Sequence, residues 1–366
     1  MVQHFLLTIF PSMEFDFMLS NPPYGKSWKT DLERMGGKKE NTDSRFTVQH
    51  QNEELSLITR SSDGQLMFLV NKLSKMNHNT KLGSRIAEVH NGSSLFTGDA
   101  GQGESNIRRW IIENDWCEAI IALPLNMFYN TDIATYIWVL TNRKSLERRN
   151  KIQLIDGTKI STSLRRNLGK KNCEFSDEQI KQILETFIDF KENNISKIME
   201  NERFGYWKIT IERPLRLSLV TSRDRLDNFL QSCEQNNDML FASILQLFIQ
   251  KNRKDNFNDL NEFYNQIAVE CERNSVSLTA NRKKLIRNNL TLRNENAAPV
   301  IKTIHKGKFD DDQMKGHFKT VFQKRDVVVE FEADTALRDT EQIGLSEKGG
   351  IESFFRREVL PIAPDS

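Results

Sequence analysis

The residues best suited to chemistry are Asn21-Pro22-Pro23-Tyr24, which directly follow the apolar stretch Phe15–Leu19 and Ser20. Two consecutive prolines cannot continue a strand ladder, so the chain must leave a sheet stiffly at this point. The C-terminal edge of an open α/β sheet is where ligands bind. The Asn21 carboxamide oxygen and the Pro22 carbonyl can both accept hydrogen bonds, neither proline brings an N–H, and Tyr24 offers a flat aromatic face. This set suits a planar amino group on a conjugated ring that must act as a nucleophile. Two acceptors on its N–H groups favour the pyramidal geometry that frees the lone pair. They also stabilise the positive charge that builds as a methyl group arrives. The aromatic ring can stack on a base taken out of its helix. No strong general base is required, because the product's acidic proton can leave to solvent. The competing reading is a surface turn, since Asn-Pro is a good turn former. By average proline usage, such a motif arises by chance roughly once in a hundred chains of this length.

The elements that must position this motif are legible as patterns. Phe15–Leu19 reads as a strand, Gly64 to Met76 as a helix with Leu66, Leu69, Val70 and Leu73 on one face, and Ser84–Val89 as a strand. Glu104 to Glu113 reads as a helix with Gly103 or Ser105 near its N-cap. Ala119–Leu123, Ala134–Leu140 and Ile152–Ile155 are apolar, β-rich runs. Strands alternating with helices predict an α/β fold with a mainly parallel, covered sheet. Ser176-Asp177-Glu178-Gln179 fits a capping box before the helical spacing of Ile180, Ile183, Leu184, Phe187 and Ile188. Tyr206–Ile211 and Leu215–Leu219 read as extended. From about Ser222 the pattern is mostly helical, clearest over Met239–Ile249 and Leu260–Val269. Val327–Phe331 is a strand candidate, and Ile351–Val359 a final helix before Pro361.

Composition excludes several classes. The 366 residues carry 38% hydrophobic and 28% charged residues, a soluble globular profile. Cys117, Cys173, Cys233 and Cys271 are far apart with no CxxC pair, against a disulfide framework or zinc ribbon and in keeping with a reducing cytoplasm. The six histidines show no metal spacing, and His90 reads as structural. The apolar run Phe5–Phe10 is too short to span a bilayer and lacks a basic leader. The net charge of +2 hides a local bias: Asn142–Lys171 holds ten basic and two acidic residues, +8, leaving −6 elsewhere. That stretch, with Arg148, Arg149, Arg165 and Arg166, fits a phosphate-contacting face or a solvated linker. Lys26 and Trp28 lie just after the motif, in a loop that could touch DNA or simply be surface. The cluster Arg282-Lys283-Lys284 with Arg287 reads as a solvated helix face.

Asn21–Tyr24 resembles the catalytic motif of amino-group methyltransferases, most often DNA adenine-N6 enzymes. Longer stretches, among them Asn21–Lys38, Ser61–Leu69, Leu82–Trp116, Glu118–Lys144, Leu164–Ser176 and Gly349–Ser366, resemble the methylation subunit of type I restriction–modification systems. The resemblance implies that Asn21 and Pro22, stiffened by Pro23, hold the adenine amino group while Tyr24 stacks on the flipped base. It implies S-adenosylmethionine as methyl donor, and DNA, a specificity subunit and a restriction subunit as partners. The fold implied is the C-terminal half of a Rossmann-like class I methyltransferase sheet over residues 1–160. A basic linker and mainly helical extension, a subunit interface, would fill 161–366.

The chain departs from the family in two ways. Only 20 residues precede Asn21 and none is Gly, so the family's glycine-rich cofactor loop is not among them. The strand ending at Asn21 should then lack a neighbour, leaving an apolar edge open, and the chain alone should fold poorly and not bind the cofactor measurably. Gly101-Gln102-Gly103 reads as a helix-entry loop that could also touch a DNA backbone. Asp132 stands where the family usually has Gly, in a turn that Asp can tolerate. Two alternatives remain open: a non-catalytic remnant that binds only the specificity subunit or DNA, and a protein-glutamine methyltransferase built on the same motif.

Overall fold

The computed structural model describes residues 13–23, 25–37, 43–129, 131–252, 256–305, 307 and 309–366. Tyr24 and the run Phe5–Phe10 lie outside the described residues. The chain divides into two compact units: residues 1–206 with 344–346, and residues 207–343 with 347–366.

In the first unit the chain runs β1 (Phe17–Ser20), α1 (Lys29–Arg34), β2 (Thr47–His50), β3 (Glu53–Ser56), α2 (Gln65–Leu73), β4 (Arg85–Asn91), α3 (Ser93–Phe96), α4 (Gly103–Glu113), β5 (Cys117–Ala122), β6 (Thr135–Thr141), β7 (Lys151–Asp156), β8 (Thr162–Leu168), β9 (Lys171–Glu174), α5 (Asp177–Asp189) and β10 (Ser196–Glu200). Six strands form one sheet in the order β1-β4-β6-β5-β7-β10. Adjacent pairs β1–β4 and β5–β7 are parallel, while β6 and β10 run antiparallel to their neighbours. The sheet is therefore mixed, with four strands pointing one way. The connection from β5 to β6 contains no helix, so the chain doubles back beside β5 instead of crossing over.

The two faces of the sheet are covered unequally. Helices α2 and α4 bury Leu66, Leu69, Val70, Ile107 and Ile111 with Ile86 and Leu140 of the sheet on one face. Helix α5 buries Ile183 against Ala119, Ile121, Val139 and Ile155 on the other. Its capping box forms: Gln179 N donates to Ser176 Oγ at 3.3 Å, and Ser176 N donates to Gln179 Oε1 at 2.9 Å. This helix, and the pairing of β10 with β7, carry the first unit past the expected boundary at 160. At the opposite edge, among the described residues, β1 pairs only with β4. Met18 joins the α2/α4 cluster, whereas Phe17 and Leu19 on the alternate face are 64% and 81% exposed.

The second unit is less helical than its sequence pattern predicts. It contains β11 (Tyr206–Ile211), β12 (Leu217–Val220), α6 (Arg223–Gln235), α7 (Met239–Asn252), β13 (Asn256–Phe257), α8 (Leu260–Arg273) and α9 (Ala280–Leu290). These are followed by β14 (Thr291–Arg293), β15 (Ile301–Ile304), β16 (Phe318–Phe322), β17 (Arg325–Phe331), β18 (Asp339–Gly344) and α10 (Gly350–Phe354), which runs on as a π-helical turn through Val359. The four long helices surround Phe229, Phe241, Leu245, Phe263 and Ile267. After residue 290 the chain is mainly β, in small sheets whose short strands give too weak a period to read. The basic cluster on α9 is not simply solvated. Arg282 Nε donates to Asp238 at 2.6 Å, Arg287 pairs with Glu332 at 2.7 Å, and Lys283 lies over the Tyr264 ring. Among the described residues no helix is long and apolar enough to cross a membrane.

Candidate functional site

Strand β1 delivers Asn21 to the C-terminal end of the parallel β1–β4 pair. Asn21 is exposed, and its carboxamide makes no hydrogen bond to a described residue; Pro22 is buried beneath it. The chain then turns at Gly25, whose φ of +67° lies in the left-handed region that favours glycine. It is fastened at once to the 60–63 loop. Gly25 N donates to Asp63 Oδ1 at 3.1 Å, Ser27 Oγ to the Ser61 carbonyl at 3.1 Å, and Trp28 N to the same carbonyl at 2.9 Å.

Trp28 is not a surface residue. It is 3% exposed, packs in the α2/α4 core, and its Nε1 donates to the Arg60 carbonyl at 2.9 Å. This corrects its assignment as a DNA contact: an indole with its one donor satisfied and its ring buried has nothing left for a phosphate. Lys26, two residues earlier, is exposed.

A buried polar network underlies the motif. Asp63 accepts from Gln65 Nε2 at 2.8 Å, Gln65 Nε2 also donates to Asn91 Oδ1 at 2.7 Å, and Asn91 N donates to Gln65 Oε1 at 3.1 Å. His90 Nδ1 lies 3.2 Å from the same Gln65 oxygen. The start of α2, the end of β4 and the loop after the motif are thus joined through two side chains, Asp63 and Gln65. Directly under Asn21, Ser20 Oγ donates to Glu88 Oε2 at 3.1 Å, and Lys72 of α2 bonds to both. Glu88 and His90 have no exposed surface. Burial pushes the Glu88 carboxyl up, opposed by Lys72. Burial, reinforced by Lys72, pulls His90 down to about 3, so its ring is neutral. A charged residue at an inward position of the apolar run Ile86–Val89 is the sequence signal that could have revealed Glu88. Asp63-Gly64 before a helical pattern could have revealed Asp63.

The basic stretch divides into used and unused charges. Arg148 is buried: its guanidinium lies 4.4 Å and 4.3 Å from the Phe187 and Phe190 ring centroids, and it bonds to Gln153 and the Phe187 carbonyl. It therefore holds α5 to the sheet and is corrected from the set of DNA candidates. Lys144 is likewise buried on Asp115 at 2.6 Å. Lys170 pairs with Asp132 at 3.0 Å, and Asp132 needs no left-handed backbone. Arg149, Arg165 and Arg166 are exposed. Arg165 and Arg166 are consecutive in β8, so they point to opposite faces of the hairpin. In the Gly-Gln-Gly loop, a Cβ at Gly103 would lie 1.9 Å from the Ile58 carbonyl oxygen, so this glycine serves close packing of the α4 start.

Residues 6–206 match the family model described as N-6 DNA Methylase. The chain belongs to the N-6 DNA methylase family. Among relatives of this methylase, the type I restriction enzyme MpnII methylase subunit of Mycoplasma pneumoniae is 30% identical over 192 residues, covering 52% of this chain and 31% of that protein. The MjaIX methylase subunit of Methanocaldococcus jannaschii is 25% identical over 182 residues, 50% of this chain and 29% of that protein. A solved type I restriction-modification methyltransferase subunit from Streptococcus thermophilus aligns with TM-score 0.41 and 23% identity, over 52% of this chain and 35% of that one. The matched part spans about a third of the length of these curated relatives.

Proposed function

We propose that this N-6 DNA methylase acts as the modification subunit of a type I restriction–modification system and supplies the acceptor end of an adenine-N6 methyl transfer. The carrying observation is the exposed, unbonded Asn21 carboxamide at the C-terminal end of β1, in a unit of this family. Asn21 Oδ1 and the Pro22 carbonyl accept the two N–H groups of a flipped adenine, and Pro23 keeps the turn stiff. Tyr24 stacks on the base, and the amino proton leaves to solvent. Asp63, Lys72 and Glu88 position the turn through Gly25 and Ser20. Exposed Lys26, Arg149, Arg165 and Arg166 meet DNA phosphates. A specificity subunit selects the sequence, and a restriction subunit joins the cytoplasmic complex.

The family implies S-adenosylmethionine as donor, but the cavity beside the motif does not fit it. The cavity beside the motif, lined by Thr59, Arg60, Asp63, Gln65, Ser93 and Glu104, measures about 10 Å³. That is room for one water, against the hundreds of Å³ of a ligand site. The test is methyl transfer from tritiated S-adenosylmethionine to unmethylated DNA by the chain together with the other subunits of its system. Nucleoside digestion should yield N6-methyladenine that disappears in Asn21→Ala. Undiminished N6-methyladenine from that variant, or label found only on protein glutamine, would overturn the reading.

A further inference from the structure

The small sheet β15-β17-β16 of the second unit brings together two imidazoles and a carboxylate that the methylase reading leaves without a role. His305, His317 and Glu330 each offer a ligand atom, and the three atoms lie within 4.8 Å of one another. The strand register explains the convergence. Thr303 of β15 faces Glu330 of the central strand, so His305, two residues on, shares that face. Phe318 of β16 faces Val329, and continuing the register sets His317 opposite Glu330. The end of β15, the start of β16 and the central strand β17 thus bring one carboxylate between two histidines.

The local contacts hold these donors in place without consuming them. His305 Nε2 is buried and lies 3.1 Å from Glu330 Oε1, yet makes no hydrogen bond there. The other carboxylate oxygen, Oε2, takes Lys302 at 3.4 Å. The His305 ring stacks on Phe309 with centroids 4.3 Å apart, and the two imidazole centroids are 4.7 Å apart. The His317 backbone is locked by reciprocal 3.0 Å hydrogen bonds with Asp312. The Asp312 carboxylate is itself occupied by Lys315 and Met314 N.

We propose that His305, His317 and Glu330 form a binding site for a divalent transition metal of the zinc class. Two imidazole nitrogens and one carboxylate oxygen are the donor set that Zn²⁺ accepts and that Mg²⁺ and Ca²⁺, which want oxygen, do not. Small side-chain rotations close the donor triangle to bonds of about 2.0–2.1 Å, and the fourth position falls to water. His305 and His317 are the two ends of the connection between β15 and β16, so the ion clips that loop shut and ties it to β17. Closing a loop in the folded state adds stability that the unfolded chain cannot share. This inference is independent of the methyl-transfer reading, because all three residues lie in the second unit.

The test uses the full chain, stripped with chelator and titrated with Zn²⁺ by calorimetry, with Co²⁺ as a spectroscopic probe. One Zn²⁺ should bind per chain and raise Tm. The Co²⁺ spectrum should lack the thiolate charge-transfer band that the four cysteines would give. His305→Ala and His317→Ala should each weaken binding by more than the roughly 10–100-fold that loss of an outer-shell partner costs, with the metal-free circular dichroism unchanged, and Glu330→Gln should weaken it too. Mg²⁺ should neither bind nor compete. Absence of stoichiometric binding, a thiolate band, or binding untouched by His317→Ala in a folded protein would each overturn the proposal. A plain His305–Glu330 ion pair would show itself by the first of these outcomes.

Discussion

Two stretches of the first unit attract attention in the sequence, and the structure treats them oppositely. At the end of β1, Asn21 is exposed with its carboxamide unbonded among the described residues, while three residues near it are bonded: Ser20 to Glu88, Gly25 to Asp63, and Trp28 to Arg60. In the basic stretch 142–171 two conspicuous side chains are spent internally, while Arg149, Arg165 and Arg166 stay exposed. Lys144 is held by Asp115, and Arg148 lies between two phenylalanines. A functional group is recognised by what its neighbours leave undone. At the motif they fasten the turn and leave the Asn21 carboxamide open; in the basic stretch they satisfy Lys144 and Arg148.

The contrast can be broken or sharpened by substitution. Asn21→Ala should lower methyl transfer in the assembled enzyme by about two to three orders of magnitude, the scale of removing one transition-state hydrogen bond, with Tm unchanged. Trp28→Ala should instead cost about 3–5 kcal/mol of stability by opening a core cavity. Urea unfolding would read the loss, and a variant of normal stability but weak DNA binding would restore Trp28 to the interface. Arg148→Met should cost about 3 kcal/mol, since it breaks a buried, bonded charge, and should leave the salt dependence of DNA binding untouched.

The buried network predicts a pH response. His90 takes up a proton near 6.5 when unfolded but only near 3 when folded. The unfolded state binds more protons between these values, so stability is full above about pH 6.5 and falls as pH drops toward 3. The loss should reach at most about 1.4 kcal/mol per pH unit. Urea midpoints across that range should lose part of this slope in His90→Gln. The smallest effect belongs to the exposed charges. Arg165→Glu with Arg166→Glu should change stability by less than about 0.5 kcal/mol. If either touches phosphate, the slope of log affinity against log salt should fall by about one for each arginine–phosphate pair removed.

Much of the first unit could be read from the chain. The strand before Asn21, the helix over Gln65–Leu73 and the capping box at Ser176 rest on neighbours within a few residues, so period and cap chemistry disclose them. The two hairpins, β2–β3 and β8–β9, were not read, because short polar strands carry little period. The insertion of β6 antiparallel between β4 and β5 was also missed, because strand order depends on which edges meet across long separations. At the site, Asn21 and Pro22 stood out by motif, but Asp63, Lys72 and Glu88 did not, since each acts through a partner at least 16 residues away.

Among the described residues the outer edge of β1 is unpaired. Phe17 and Leu19 look in sequence like any core strand, yet among the described residues they remain exposed with β4 as their one neighbour. Covering them would gain about 1.5–3 kcal/mol each.

The sequence by itself determined what could react: an amide oxygen and a carbonyl at the rigid end of an apolar strand, in a family signature. It also determined where helices begin, because caps and periodicity are local. Only the tertiary structure decided availability. It left Asn21 open, buried Trp28 and Arg148, set Glu88 beneath the motif, and brought His305, His317 and Glu330 onto one face. Availability depends on which distant groups satisfy a donor, acceptor or charge, and that pairing exists only once the chain has folded.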